Sequence, residues 1–313
     1  MRVLVTGAGG FVGSHLLPRL RQAGHDVVRM TRGTSAPEPG AWAAPAALKD
    51  VETARGWPRG VDAVIHLAAA NPARGDPGAG DAAVLQAVNV EGTAALARAS
   101  AREGVRRFVF LSTANLHAPR ADGRPVAESD PIVPQSPYAQ SKAEAETALS
   151  EALTGSDTTA CVLRPAPVFG RGGRGTVAQL ARLAATPLPL PLRGLGGRRS
   201  LVAVEDLVEA IARAAEAPAA LNEILLLSGG AATPAEIVAA LREGAGRTSR
   251  LLDAPSGLLE WVARRLGKGE AFERLAKDFV LDPSRAERAL DWAAPRDLLT
   301  RLREFAAAAP RAG

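Results

Sequence analysis

Tyr138 and Lys142 stand four residues apart in the run Tyr138-Ala139-Gln140-Ser141-Lys142. On a helix that spacing brings both side chains to one face. A phenol of ordinary pKa, near ~10, exchanges protons poorly at neutral pH. An ammonium group beside it favours the phenolate and turns the phenol into an acid–base group. The spacing alone is common by chance. Here, however, Tyr138 is the only tyrosine in 313 residues, and Ser136-Pro137 supplies a helix start directly before it. Upstream, Phe108-Val109-Phe110-Leu111 reads as a strand that ends on two hydroxyls, Ser112 and Thr113. One of that pair is expected to hydrogen-bond a substrate oxygen.

A second constellation lies at the start of the chain, in Thr6-Gly7-Ala8-Gly9-Gly10-Phe11-Val12-Gly13. Gly7, Gly10 and Gly13 form G-x-x-G-x-x-G between an apolar run and a helix-period segment. Such a turn needs one glycine for its tightness, one for close backbone approach to a pyrophosphate, and one for helix–strand packing. The helix behind it offers unpaired N–H groups and partial positive charge to phosphates. This predicts a dinucleotide cofactor. An NAD site usually places an acidic residue at the end of the second strand. The corresponding run, Val27-Val28-Arg29-Met30-Thr31-Arg32-Gly33-Thr34-Ser35, has no carboxylate. Arg32, helped by Thr31 and Ser35, suits a 2′-phosphate and favours NADP. NAD is the alternative if Arg32 is merely solvated.

These groups need a frame. Arg2 to Thr6, His25 to Met30, Val61 to Leu67, Arg107 to Leu111 and Ala160 to Leu163 read as short buried strands. Phe11 to Ala23, Ala82 to Arg102 and Tyr138 to Leu153 read as the helices between them. The alternation predicts an α/β, Rossmann-like, doubly wound parallel sheet. After Arg164-Pro165 turn formers dominate, in Gly170-Arg171-Gly172-Gly173 and Pro187-Leu188-Pro189-Leu190-Pro191. A helix at Glu205 to Ala215 and a strand at Glu223 to Leu227 return to the first pattern. Helices at Pro234 to Arg242, Gly257 to Leu266 and Arg285 to Leu290 then suggest a smaller, mostly helical C-terminal lobe. The expected division is 1–165 with 201–228 for the cofactor domain, and 166–200 with 229–313 for the substrate lobe. Segment 31–60, rich in Pro, Ala and Gly, gives no clear pattern.

Composition excludes several classes. A hydrophobic fraction of 47% fits a globular chain, and aromatics at 4% leave the core to Ala, Val and Leu. Cys161 is the only cysteine, which rules out an intrachain disulfide and a cysteine-rich metal site. His15, His25, His66 and His117 lack zinc-ligand spacing, so no metal is expected. The net charge of +5 is scattered over the chain without a basic arm or stacking platform, so no nucleic-acid partner is expected. No apolar run reaches the roughly 18 residues that span a bilayer, and the N-terminal run is too short for a signal peptide. No membrane partner and a cytoplasmic location are therefore expected.

Taken in order, Gly7/Gly10/Gly13, His66-Leu67-Ala68-Ala69, Asn89-Val90-Glu91-Gly92-Thr93, Phe110-Leu111-Ser112-Thr113, Tyr138/Lys142 and Leu163-Arg164-Pro165 resemble the extended short-chain dehydrogenase/reductase superfamily, the NAD-dependent epimerase/dehydratase group. The likeness covers roughly residues 1–230. It implies that Thr113 is the hydroxyl partner with Ser112 as understudy, that Tyr138 is the acid/base, and that Lys142 lowers its pKa and holds the nicotinamide ribose. It implies further that Phe11 and Val12 join the glycines around the cofactor, that Leu67, Ala68 and Ala69 pack beside it, and that Pro165 sits near the carboxamide end. Asn89 would be structural. Gly197-Arg198-Arg199-Ser200-Leu201-Val202-Ala203-Val204-Glu205-Asp206 resembles the segment that gives an arginine to a sugar nucleotide's pyrophosphate, which makes Arg199 the candidate, and a guanidinium forks well onto phosphate. Two departures stand out. His117 replaces an aromatic residue common in sugar epimerases, and Thr31-Arg32 replaces the Asp-Asn type of enzymes that keep NAD bound.

The resemblance implies an enzyme that reduces the C4 ketone of a nucleotide-linked 4-keto-6-deoxy (N-acetyl)hexose with NADPH. A 4-epimerase with bound NAD+, a dehydrogenase of a lipophilic substrate and a non-enzymatic NADP-sensing regulator are the alternatives, the last disfavoured by the intact Tyr/Lys pair. The likeness also allows a homodimer packed through the Tyr138 helix and Ala82 to Arg102.

Overall fold

The computed structural model describes residues 1–33, 39–72, 75, 78–120, 122–218, 221–265, 267, 269, 272 and 276–308. Its centre is a seven-stranded sheet in the order β10-β6-β5-β4-β1-β2-β3, with every neighbouring pair parallel. The strands are β1 (Arg2–Thr6), β2 (Asp26–Arg32), β3 (Ala41–Ala44), β4 (Ala63–His66), β5 (Arg107–Leu111), β6 (Thr159–Pro165) and β10 (Glu223–Leu227). Side chains alternate across a strand, so β1 sends Val3 and Val5 to one apolar cluster and Leu4 to the other. A sheet buried on both faces needs the near-continuous apolar runs that these strands carry. Helices α1 (Phe11–Gln22) and α6 (Val204–Glu216) cover the first face through Leu16, Leu20, Leu207 and Ile211. Helices α3 (Gly92–Arg102) and α4 (Pro137–Leu153) cover the second through Leu96, Ala145 and Leu149.

The expected doubly wound sheet is present. The expected helix over Ala82 to Arg102 differs in one respect. It divides into α2 (Ala82–Leu85), a π-helical stretch at Gln86–Glu91, and α3. The wider turn carries Asn89, and such turns gather at functional sites. The second strand runs two residues further than expected, so Thr31 and Arg32 form its exposed end rather than a loop beyond it. In the segment that gave no pattern, β3 adds an edge strand that pairs Trp42 with Met30, and Trp42 meets Trp57 at 5.2 Å between ring centroids.

The lobe after β6 holds a core of its own. Short strands β7 (Val168–Phe169) and β9 (Val202–Ala203) pair in parallel, while β8 (Arg199–Ser200) and β11 (Ala231–Ala232) pair antiparallel. Helices α5 (Thr176–Ala184), α7 (Pro234–Gly244) and a final helix, α10 (Leu298–Ala307), meet around Val177, Ile237, Leu241 and Leu302. Two more helices, α8 (Ser256–Arg265) and α9 (Ser284–Leu290), complete the order. Helix α7 starts on a capping box, with Thr233 and Glu236 each bonding the other's backbone. A Cβ at Gly244 would lie 2.2 Å from the Arg303 carbonyl oxygen, so the contact of α7 with the last helix requires glycine there.

Candidate active site

The chain leaves the centre of the sheet in one direction through β2 and β3, then returns to build the other half from β4. In such sheets ligands bind where the order reverses, outside the carboxyl ends of the central strands. Those ends are Thr6 and His66, partners in register. The glycine turn follows directly. Gly7 adopts φ +67°, and a Cβ there would lie 2.7 Å from Ala68 N and 2.8 Å from the Leu67 carbonyl carbon. A Cβ at Gly13 would lie 2.4 Å from the Gly7 carbonyl oxygen. Both positions therefore exclude any other residue. Gly10 caps α1 with backbone alone, and no acidic residue stands in the helix's first turn. The N-terminal N–H groups around Phe11, Val12 and Gly13 thus meet no competing side-chain cap. This donor set fits a pyrophosphate.

A polarised hydrogen-bond chain ties this turn to its neighbour. Ala68 N–H donates to Thr6 Oγ1 at 3.2 Å, and Thr93 Oγ1 donates to the Asn89 carbonyl at 2.5 Å. His66 lies between, with Nδ1 2.6 Å from Thr6 Oγ1 and Nε2 3.0 Å from Thr93 Oγ1. Since the Thr93 hydrogen is already committed, Nε2 must donate and Nδ1 must accept from Thr6. The ring is neutral. Burial, reinforced by the Lys142 ammonium, holds its pKa down to about 3. Asn89 continues the path. Its Oδ1 accepts from Ala70 N at 2.8 Å, and its Nδ2 donates to Ser141 Oγ at 2.9 Å. Ser141 in turn donates to the Tyr138 carbonyl at 2.9 Å. Residues 67–70 are thereby fixed against both the glycine turn and the helix bearing Tyr138. Leu67 is buried, and Ala68 and Ala69 are half-buried.

Helix α4 starts where the sequence predicts, with Ser136 Oγ accepting from Ala139 N at 3.2 Å and Pro137 in the first turn. Tyr138 is half-buried and Lys142 fully buried on that helix. Lys142 Nζ sits 3.8 Å from the centre of the Phe110 ring, a cation–π contact that fixes α4 over the end of β5. Burial lowers the Lys142 pKa to about 7, with Glu146 opposing the shift. Thr113 follows β5 and is buried; its Oγ1 accepts from Asn115 N at 3.2 Å, which leaves its O–H to donate. Ser112, expected as an understudy, is committed elsewhere: its hydroxyl donates to Glu146. That hydroxyl has one hydrogen to give, and here Glu146 takes it.

His117 is buried, with both ring nitrogens engaged by the protein. Its Nε2 accepts from Arg164 Nη1 at 2.9 Å, and its Nδ1 lies 3.3 Å from the Pro131 carbonyl. Burial and the Arg164 charge hold its pKa down. Pro165 ends β6, buried, next to Arg164. Arg32 is exposed at the end of β2, and Thr31 Oγ1 donates to the Trp42 carbonyl at 3.3 Å. Ser35 lies outside the described residues. Arg199 belongs to β8, with its guanidinium carbon 5.4 Å from the centre of the Phe279 ring. Two cavities of about 360 Å³ each lie in the second lobe, one beside Arg198 and Gly230, the other beside Arg171 and Phe305. Neither of these two is lined by Tyr138 or Lys142.

With that geometry in place, likeness to known proteins becomes informative. The sequence profile of the NAD dependent epimerase/dehydratase family matches residues 3–226. The chain belongs to this family. It is an NAD(P)-dependent enzyme of the extended short-chain dehydrogenase/reductase type. A UDP-glucose 4-epimerase of Vibrio cholerae is 28% identical over 300 residues, covering 95% of this chain and 92% of that protein. A dTDP-4-dehydrorhamnose reductase of Mycobacterium tuberculosis is 35% identical over 188 residues, covering 59% of this chain and 56% of that one. Among solved structures, MoeE5 in complex with UDP-glucuronic acid and NAD superposes with a TM-score of 0.72 at 24% identity, over 96% of both chains. That last likeness speaks for the fold. Among the described residues no helix is long and apolar enough to cross a membrane, and no cluster of side chains suits a metal ion.

Glu146, Arg164 and the Thr6–His66–Thr93 chain were not singled out from the sequence as parts of the site. A signal existed for one of them, because Glu146 is four residues beyond Lys142 and eight beyond Tyr138, on the same helical face.

Proposed function

We propose that this enzyme reduces the C4 ketone of a nucleotide-linked 4-keto-6-deoxy (N-acetyl)hexose, using NADPH. The observation that carries the reading is the Tyr138–Lys142 face of α4, held by Lys142 over the Phe110 ring of β5, and it is supported by Thr113, which follows that strand with a hydroxyl hydrogen left to give. Phe11, Val12 and the three glycines hold the pyrophosphate of the cofactor. Leu67, Ala68 and Ala69 line its path, and Pro165 stands at the carboxamide end. When bound, the reduced nicotinamide supplies hydride to the ketone carbon. Thr113 donates a hydrogen bond to the ketone oxygen, and Tyr138 transfers its phenolic proton to that oxygen as negative charge develops there. Lys142 favours the phenolate left on Tyr138 and contacts the nicotinamide ribose. Arg199, stacked on Phe279, presents its N–H fork to the substrate's pyrophosphate. Arg32, exposed at the end of β2 with no carboxylate beside it in the chain, supports NADP over NAD.

One second reading shares every part of this machinery. The likeness to a UDP-glucose 4-epimerase over nearly the whole chain supports epimerisation at C4 with NAD+ retained. The purified protein separates them. A reductase leaves purification without cofactor, binds NADPH reversibly and oxidises it once per ketone reduced. An epimerase releases NAD+ on denaturation and consumes no NADPH. Tyr138→Phe is expected to lower kcat about 10²–10⁴-fold in either case. Full turnover by that variant would sink the assignment of roles.

A further inference from the structure

The carboxylate of Glu146 is buried one helical turn beyond Lys142. Its Oε1 accepts from Arg164 Nε at 3.0 Å and also from the Ser112 hydroxyl, and its Oε2 accepts from Arg164 Nη2 at 2.5 Å. Arg164, on β6, is 2% exposed in its side chain and Glu146 8%. The fork of Arg164 is completed by His117 Nε2. Ser112 is held from its other side as well, since its N–H donates to the Leu163 carbonyl at 2.7 Å. One carboxylate therefore joins α4, the end of β5 and β6 directly behind Thr113, Lys142 and Tyr138. A buried ion pair is weak as a source of net stability, because desolvation offsets its attraction. What it supplies is a fixed geometry, since each donor direction is specified.

Resting on the acid–base reading above, we propose that Glu146 is a positioning residue. Through Ser112 and Arg164 it sets the placement of Thr113 against the Tyr138–Lys142 face, and its charge, one turn away on the same helix, favours the ammonium form of Lys142. The groups around Lys142 agree with this assignment. Tyr138 and Glu146 flank it on α4, while β4 and β5 present neutral His66 and the Phe110 ring. The one anion acting on Lys142 in the described surroundings is Glu146, which opposes the burial that lowers the Lys142 pKa to about 7. Arg164 stands on the far side of that anion and pairs with both of its oxygens.

Two variants test the proposal, Glu146→Gln and the volume-matched neutral pair Glu146→Leu/Arg164→Met. Melting temperature, kcat, KM and the pH profile of kcat are measured with NADPH and a UDP-linked 4-ketosugar, with Tyr138→Phe run alongside. In each folded variant kcat is expected to fall about 10²-fold, the scale of a small misplacement of reacting groups, with KM little changed. In Glu146→Gln the limb that follows Lys142 protonation moves to lower pH, because an opposing anion has been removed. Because Tyr138 is the only tyrosine, isotope-labelled tyrosine gives one phenol resonance, which is expected to move in both variants without any substrate present. A folded variant with wild-type kcat, pH profile and phenol resonance would overturn the proposal. Failure of both variants to fold would also overturn it, assigning the pair to stability alone. If Tyr138→Phe itself keeps full turnover, the acid–base reading falls instead, and the phenol resonance still decides whether Glu146 positions that side chain.

Discussion

Lys142 shows how one side chain joins function to stability. Its native pKa is about 7, against 10.5 for an ordinary lysine, because burial disfavours the ammonium. Between those values the unfolded chain holds a proton that the native protein has released. Stability must then increase with pH across that window, by up to about 1.4 kcal/mol per pH unit. Cys161 opposes this at higher pH. Its buried thiol, pushed up to about 12, stays protonated while the unfolded thiol ionises above 9. The effect is therefore read between about pH 7 and 9. Denaturant unfolding of the cofactor-free protein is expected to show stability rising over that range, and Lys142→Met is expected to flatten the rise. An equal slope in both proteins would mean that the ammonium is not buried as described. The Tyr138/Lys142 pair was legible from its spacing, whereas the commitment of Ser112 to Glu146 was not, because it joins groups 34 residues apart.

At the scale of elements, the glycine turn and the first helix form one unit whose tolerance is set by backbone rather than side chains. An added Cβ at Gly13 would meet the carbonyl oxygens of Gly7 at 2.4 Å and Ala8 at 2.6 Å. Backbone of the tight turn between β1 and α1 cannot retreat as a flexible side chain would. Gly13→Ala is expected to cost about 1–3 kcal/mol through overpacking. It is also expected to weaken NADPH binding at least about tenfold, since the first-turn N–H groups are displaced from the pyrophosphate. Fluorescence titration of NADPH and thermal unfolding measure the two effects; unchanged affinity would remove the turn from the cofactor site. The strands and helices of the first half were readable because each has one strong period. The π-helical turn at Gln86–Glu91 was not, since nothing in Gln-Ala-Val-Asn-Val-Glu sets it apart from the helix on either side, and the hydrogen bonds of Asn89 to Ala70 and Ser141 join residues distant in the chain. Strand β3 escaped for a different reason. Ala-Trp-Ala-Ala has little strand preference, and pairing with β2 supplies what propensity does not.

For the whole molecule, the sheet region and the last helix are joined by Asp206 of α6 and Arg301 of α10. Arg301 Nε donates to Asp206 Oδ2 at 3.1 Å, and Nη2 bonds the other carboxylate oxygen. The Asp206 side chain is 2% exposed, so removal of its charge leaves a guanidinium with part of its partner gone inside a packed contact. Asp206→Asn is expected to lower stability by about 3 kcal/mol. If the cofactor region and the substrate lobe, proposed as 1–165 with 201–228 and 166–200 with 229–313, unfold together, that loss appears as one shifted transition. A second, earlier transition would show that the lobe melts separately. Calorimetry distinguishes the two outcomes.

The amino-acid order alone determined the class of fold and marked the glycine turn proposed for the cofactor and the Tyr138/Lys142 pair proposed for acid–base work, because each depends on residues close together in the chain and on a repeat that local geometry enforces. It also put Thr113 just past the end of its strand. Only the tertiary structure decided what stands behind those groups. Pairing of parallel strands brought Thr6 beside His66, and the packing of α4 across β5 and β6 brought Glu146 to Ser112 and Arg164. Such contacts depend on where distant segments meet once water is excluded from both faces of the sheet, and no local spacing encodes that.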